Sequence, residues 1–183
     1  MNTQETANKP RIYVASLADY NAGRLHGCWI DAGESYEEIR EQVRKMLAES
    51  PEPIAEEWAI HDYENFGTLR LSEYEDLERV AQVARLIVEH GPVFAELVSH
   101  FGGARYVDDA AQCMEEGYRG AFDSLADFTQ ETIEDCYAAE LNNLPDFIRY
   151  HIDYEGIAHD MDLSGDVLTI VCGGKVHVFD SNL

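Results

Sequence analysis

SEYEDLERVAQVARLIVEHGPVFAELVSHFGG, residues 72–103, carries the strongest helical periodicity in the sequence. Leu77, Val80, Val83, Ala84 and Ile87 recur at the three- and four-residue spacing of one helical face. Ser72 with Glu75 three residues later has the form of a capping box, and Gly91 closes the run. Pro92 sits where a first helical turn tolerates proline, so PVFAELVSHF predicts a second helix ending at the Gly102–Gly103 pair. A shorter third helix is expected in VDDAAQCMEEGY, residues 107–118. Residues 69–117 therefore form a helical lobe.

On either side the period changes. RIYVASL, from Arg11, alternates as a strand, Asn21–Gly23 has turn chemistry, and LHGCWIDA, from Leu25, gives a second strand. Ser35 and Glu38 predict a capped helix with Tyr36, Ile39, Val43, Met46 and Leu47 on one face, ended by Pro51 and Pro53. EEWAIHDYENF adds a further strand and turn. Beyond the helices, GAFDSLADFTQETI from Gly120 repeats the glycine, aromatic, aspartate, helix order of GCWIDAGESYEEI from Gly27. About thirty-five residues later in each copy, Asp62-Tyr63-Glu64 is matched by Asp153-Tyr154-Glu155, with His61 and His151 each expected in a preceding strand. VLTIVCGGKVHVF, from Val167, is a hairpin signal around Gly173–Gly174. The expectation is an α+β chain: a frayed tail over 1–10, an α+β domain over 11–68, the helical domain over 69–117, and an α+β domain over 118–183.

The 183 residues include 36 Asp and Glu against 13 Lys and Arg, a formal net charge of −23. With 45% hydrophobic residues the chain has the means to bury a core. Such a charge repels nucleic acid and anionic lipid and attracts basic grooves, so direct nucleic-acid or membrane binding is not expected. Cys28, Cys113, Cys136 and Cys172 are scattered without a C-x-x-C pair, which reads as reduced core thiols in a cytoplasmic protein. No run reaches the length of a membrane span.

HIDYEGIAHDMDLSGD, residues 151–166, invites a metal reading. Asp160, Asp162, Ser164 and Asp166 follow the opening of a calcium loop, but the twelfth position is Val171 where a bidentate glutamate is needed. A polar turn ending at Gly165 is the reading adopted. His159-Asp160 resembles the pair found in metal phosphohydrolases, yet neither His90 nor His100 has an adjacent aspartate to complete such a site. No nucleophile elbow or phosphate-binding glycine loop is present in the sequence. Neither an enzyme activity nor a metal or cofactor is expected, a metal-dependent phosphohydrolase being the alternative.

What remains is carboxylate. Asp108, Asp109, Glu115, Glu116, Asp123, Asp127, Glu131, Glu134, Asp135, Glu140, Asp153, Glu155 and Asp160 are the candidate partner-binding residues, in a region with few lysines or arginines. An ordinary solvated acidic face carries nearly as many lysines. One reading is a surface kept acidic for solubility or for binding basic proteins at large; the other is a set of carboxylates standing where DNA phosphates would stand. Tyr118, Phe122 and Phe128 are the candidates for a subunit contact, should any of them lie at the surface.

RIYVASLADYNAGRLHGCWIDA, DYENFG and LPDFIRYHIDYEGIAHDMDLSGD closely resemble the ArdA antirestriction proteins carried by conjugative plasmids and transposons, from about Arg11 onward. The resemblance implies an elongated, three-lobed, dimeric DNA mimic that occupies the DNA groove of type I restriction-modification enzymes, at their methyltransferase core, and blocks restriction and often modification. It also implies that the antirestriction motif lies near residues 151–166, with Asp153, Tyr154, Glu155 and Asp160 at the matching positions. Two subunits of this charge carry as much negative charge as about 23 base pairs of duplex.

Overall fold

A computed structural model describes residues 9–181. Residues 1–8 of the expected tail lie outside the described residues. Its last two residues are not frayed: the Pro10 carbonyl accepts from Ala32 N–H at 2.9 Å, the Lys9 carbonyl accepts from Asn65, and Lys9 pairs with Asp31 at 3.3 Å. The chain is α+β and divides into two compact units, Met1–Ala111 and Gln112–Leu183.

In the first unit β1 (Arg11–Ser16) is the central strand of an antiparallel sheet, flanked by β2 (Gly27–Asp31) and β3 (Trp58–Glu64). Ile12 and Val14 of β1 are fully buried with Ile30 and Ile60, as a central strand requires. A Cβ on Gly27 would lie 2.4 Å from the Val14 carbonyl, so β2 can begin beside β1 only at a residue without a side chain. Between β1 and β2 lies a short helix, α1 (Leu17–Asn21), where the sequence showed only the turn. Ser16 caps it and buried Asp19 holds it: Ser50 Oγ donates to the Asp19 carboxylate at 2.5 Å, and Arg24 bridges Asp19 and Glu52. The Ser50 hydroxyl lowers the Asp19 pKa despite burial.

The capped helix expected at Ser35 is α2 (Tyr36–Ala48), with the reciprocal Ser35–Glu38 box formed and Ile39, Val43 and Met46 buried. The central helices are α3 (Leu77–His90), α4 (Pro92–Phe101) and α5 (Val107–Gln112). All five residues of the α3 stripe are buried, as are Phe94, Leu97 and Val98 of α4. One correction concerns the start of α3. Ser72 and Glu75 do bond, Glu75 accepting from Ser72 N–H at 3.2 Å, but the helix is capped four residues after Ser72, at Asp76, whose carboxylate accepts from Glu78 N–H at 2.8 Å. Two capping signals stand in tandem, and the one adjoining the apolar stripe starts the helix.

The second unit opens with one wide helical turn, Cys113–Gly117, continuing α5. There follow β4 (Tyr118–Phe122), α6 (Leu125–Cys136), α7 (Ala138–Asn143), α8 (Asp146–Arg149), α9 (Tyr154–Ser164), β5 (Val167–Cys172) and β6 (Lys175–Asp180). The hairpin β5–β6 turns at Gly173 and Gly174, both with positive φ (59° and 76°), the mirror-image two-residue turn that matches the right-handed twist of paired strands. The sheet order is β4-β6-β5, with Phe128, Val167 and Val178 at the centre of a small core that Phe122, Leu125 and Met161 complete.

The sequence repeat does not carry into structure. In the first sheet the first strand is central; in the second the last strand is. Asp62-Tyr63-Glu64 ends strand β3, whereas Asp153-Tyr154-Glu155 begins helix α9 and His151 lies in a turn, not a strand. The residues after each tripeptide make the difference. Asn65 takes a positive φ of 66° and ends the strand, while Gly156 N–H donates to the Asp153 carboxylate at 2.9 Å and opens a helix. The expected polar turn over Asp160–Gly165 is likewise corrected: it is the second half of α9, with Gly165 as its left-handed cap.

Candidate functional site

Charge in the second unit is lopsided in sequence and more so in structure. Its basic residues are Arg119, Arg149 and Lys175, set against fifteen carboxylates. Each of the three is already engaged. Arg119 makes a two-pronged pair with Asp180, Arg149 meets Asp146 at 3.6 Å one helical turn away, and Lys175 meets Asp123 at 2.6 Å. The Arg119 guanidinium lowers the Asp180 pKa through its hydrogen bond, and its own is raised by the same contact. Twelve carboxylates are left with no ion pair among the described residues.

All thirteen sequence-predicted carboxylates are exposed. The structure gathers one group of them on a single element, α6. At about 100° per residue Asp127, Glu131 and Glu134 fall within about 60° of arc, with Asp135 at the edge. Phe128 and Thr129 of the same helix are buried, so the helix has one wall in the core and one in solvent. Local bonds hold parts of the stripe in place. Ser124 caps α6 by accepting from Asp127 N–H at 3.1 Å and donates its hydroxyl back to the Asp127 carboxylate at 2.6 Å, and Gln130 donates to Glu134 at 2.8 Å. From Asp127 to Asp135 is about 12 Å of helix at 1.5 Å per residue. One strand of duplex places about 3.5 phosphates in that length. Four carboxylates on one helix thus match the linear charge density of a single nucleic-acid strand.

The others stand in different relations. Glu115 and Glu116 lie on the wide turn, Glu116 accepting from Gln112 at 3.2 Å, and Glu140 lies on α7. Glu155 and Asp160 are on α9, and Asp153 is its cap. Asp153 therefore has a structural task besides its charge, and Asp123 is neutralised in part by Lys175. Asp108 and Asp109 begin α5 in the first unit, where Gln82 donates to Asp108 at 2.7 Å. Asp160, Asp162 and Ser164 follow one another along a helix, which replaces the tight loop that calcium coordination needs.

The aromatic trio separates by burial. Phe128 is in the core with Phe122 packed against it at 5.2 Å between ring centroids, and Tyr118 is the member left at the surface. Tyr118 stacks on His177, its hydroxyl 2.8 Å from Nδ1, and burial raises the tyrosine pKa and lowers that of the histidine. An apolar surface that the sequence reading missed lies on α7 and α8, neither of which has a buried residue. Leu144, Phe147, Ile148 and Tyr150 are exposed there, Phe147 and Tyr150 by more than 70%. The signal was present in LPDFIRYHI, an apolar-rich run beside the acidic one. The thiols also need correction: none of the four forms a disulfide, but Cys136 is exposed and only Cys113 is buried.

Comparison with known proteins gives one family. The model described as "Antirestriction protein (ArdA)" matches residues 12–175 of the 183. No curated protein matches the chain.

Proposed function

The chain belongs to the ArdA antirestriction family, and we propose that it acts as a DNA mimic, occupying the DNA-binding groove of a type I restriction-modification enzyme at its methyltransferase core. Family membership implies antirestriction and an interaction with restriction enzymes. The observation that carries the finer reading is the engagement of every basic side chain of the second unit by an aspartate, which leaves twelve carboxylates uncompensated. A surface made acidic for solubility alone has no need to exclude lysines from between its carboxylates. A surface that must draw lysines and arginines from a partner does, since resident cations compete for the same oxygens.

The α6 stripe gives the mimic its spacing, with the charge pitch of one strand on a rigid element. Binding then proceeds as DNA binding does, through many charge-assisted contacts and the release of counterions. A homodimer doubles the charged length. The exposed apolar side chains of α7 and α8 are a surface suited to that contact, because an uncovered patch of this kind is costly in water, and Tyr118 on β4 is a separate candidate. The cytoplasm, where the restriction enzyme works and thiols stay reduced, is the compartment that fits.

The test is displacement of labelled duplex from a type I methyltransferase core, with a basic histone-like protein on the same duplex as control. Selective displacement from the methyltransferase supports the mimic. Equal displacement from both would make the protein a general acidic binder.

A further inference from the structure

The first unit holds a recess of about 420 Å³ lined by Leu17, Tyr20, Asn21, His61, Glu73 and Tyr74. Its walls come from three places in the chain: the α1 turn, strand β3, and the segment leading to α3. That last segment is fixed to the edge of the first sheet, because the Glu73 carbonyl accepts from Ile60 N–H at 2.9 Å. Tyr20 stands edge to face with His61, centroids 4.9 Å apart at 79°. Tyr20 and Tyr74 are nevertheless 60% and 70% exposed, so two aromatic rings flank an open space that also holds a carboxylate.

The chemistry of this lining selects its occupant. No lysine or arginine lines it, and Glu73 forms no ion pair among the described residues. Arg24, the basic residue nearest α1 in the chain, is held by Asp19 and Glu52. An anion or a nucleotide is repelled by Glu73 and by the overall charge. A wholly apolar ligand would strip water from Asn21, His61 and Glu73 without replacing it. A cation is drawn to ring faces and carboxylate together. Between the two cationic side chains arginine fits better, since a planar guanidinium can stack on a tyrosine and present a fork to a carboxylate at once, whereas an ammonium is a hydrated point charge.

We propose that this recess is a seat for one arginine side chain, and, resting on the reading given above, that the restriction enzyme supplies it. The mimic then has a discrete anchor in its first unit in addition to distributed carboxylates. Such an anchor gives register, which uniform charge does not.

The site can be tested on the protein alone. N-acetylarginine N-methylamide is titrated while the ring resonances of Tyr20, His61 and Tyr74 are followed by NMR, with the citrulline analogue as the neutral isostere. Saturating shifts at these rings with the arginine probe only, lost in Tyr74→Leu and kept in Tyr74→Phe, are the expected result. Shifts of equal size with citrulline, shifts unaffected by Tyr74→Leu, or no shift at the rings would overturn the proposal. In the displacement assay Tyr74→Leu should weaken competition about five-fold while Tyr74→Phe leaves it unchanged. Should the protein fail to displace DNA from the methyltransferase while the arginine titration saturates, the functional reading falls and the arginine seat stands.

Discussion

Neutralising the α6 stripe is the perturbation that separates distributed mimicry from a localised site. The substitutions are Asp127→Asn, Glu131→Gln, Glu134→Gln and Asp135→Asn, singly and together. They are chosen to remove charge and keep shape: asparagine preserves an acceptor for the Ser124 hydroxyl, glutamine preserves one for Gln130, and buried Phe128 and Thr129 are untouched. All four carboxylates are exposed, so each contact with the partner lies in the range of a surface ion pair, about 0.5 kcal/mol. One substitution should therefore weaken displacement about two-fold. Four together should remove about 2 kcal/mol, or about 30-fold. Their loss should also flatten the dependence of log affinity on log salt by up to about 3.5, the duplex value for four contacts. The assay is competition against labelled DNA on the methyltransferase core at several salt concentrations, with circular dichroism confirming that α6 remains folded. Abolition of binding by a single member, or a quadruple variant that competes as well as the parent at low salt, would refute the reasoning.

Three further outcomes follow from the same geometry. Phe128→Ala should cost about 3 kcal/mol in a denaturant melt because it empties the small core of the second unit, whereas Phe147→Asp should leave the melt nearly unchanged and halve the mass seen by sedimentation; the reverse pattern would exchange their roles as core and subunit contact. Asp153→Ala should destabilise the second unit by about 1 kcal/mol through loss of the α9 cap, and Asp153→Asn should be close to neutral in the same melts; equal losses would show that charge and not capping is what Asp153 contributes. Asp19 has a folded pKa below its unfolded value, so its contribution is present above the unfolded value of about 3.9 and is lost as pH falls through the folded one. Ser50→Ala removes the largest cause of that lowering, and urea melts from pH 5 to pH 2.5 should show a shallower acid loss in this variant; an unchanged slope would contradict the assignment.

Elements that announced themselves in the sequence are those whose cues are local. The Ser35–Glu38 box, the α3 stripe and the Gly173–Gly174 hairpin each depend on residues within a few positions of one another, and each formed as read. Where local cues compete, the sequence misled. Ser72-Glu75 and Asp76 are both sound helix starts, and only packing of Leu77 and Val80 decides between them. The DYE tripeptides are identical, yet one belongs to a strand paired with β1 and the other to a helix opened by Gly156. A Cβ at position 156 would approach the Asp153 carboxylate to 2.7 Å, so that glycine is what lets the tripeptide act as a cap. Helix α1 is five residues long and depends on Ser50, thirty-one residues away, to satisfy Asp19, so no window of sequence contains its cause.

The candidate site was legible in one respect and illegible in another, for a single physical reason. A catalytic site requires particular groups at fixed separations, and such constraints leave motifs; a charge mimic requires only density and pitch, which many arrangements satisfy. The scarcity of lysine could be counted, and the spacing of Asp127, Glu131 and Glu134 has helical period. What could not be read is which carboxylates are left over once the few cations choose partners, since Arg119 finds Asp180 and Lys175 finds Asp123 across more than fifty residues of chain. Those choices are made by strand pairing, where β4 and β5 each align with β6 and bring the ends of the second unit together. Pairing thus does two things at once. It closes the small sheet, and it ties Arg119 to Asp180 and Lys175 to Asp123, neither of which belongs to the α6 stripe. A lysine introduced on α6, for example at Gln130 beside Glu134, would place a cation within the stripe itself, and its cost to binding should exceed that of one neutralised carboxylate because it both removes an attraction and adds a repulsion.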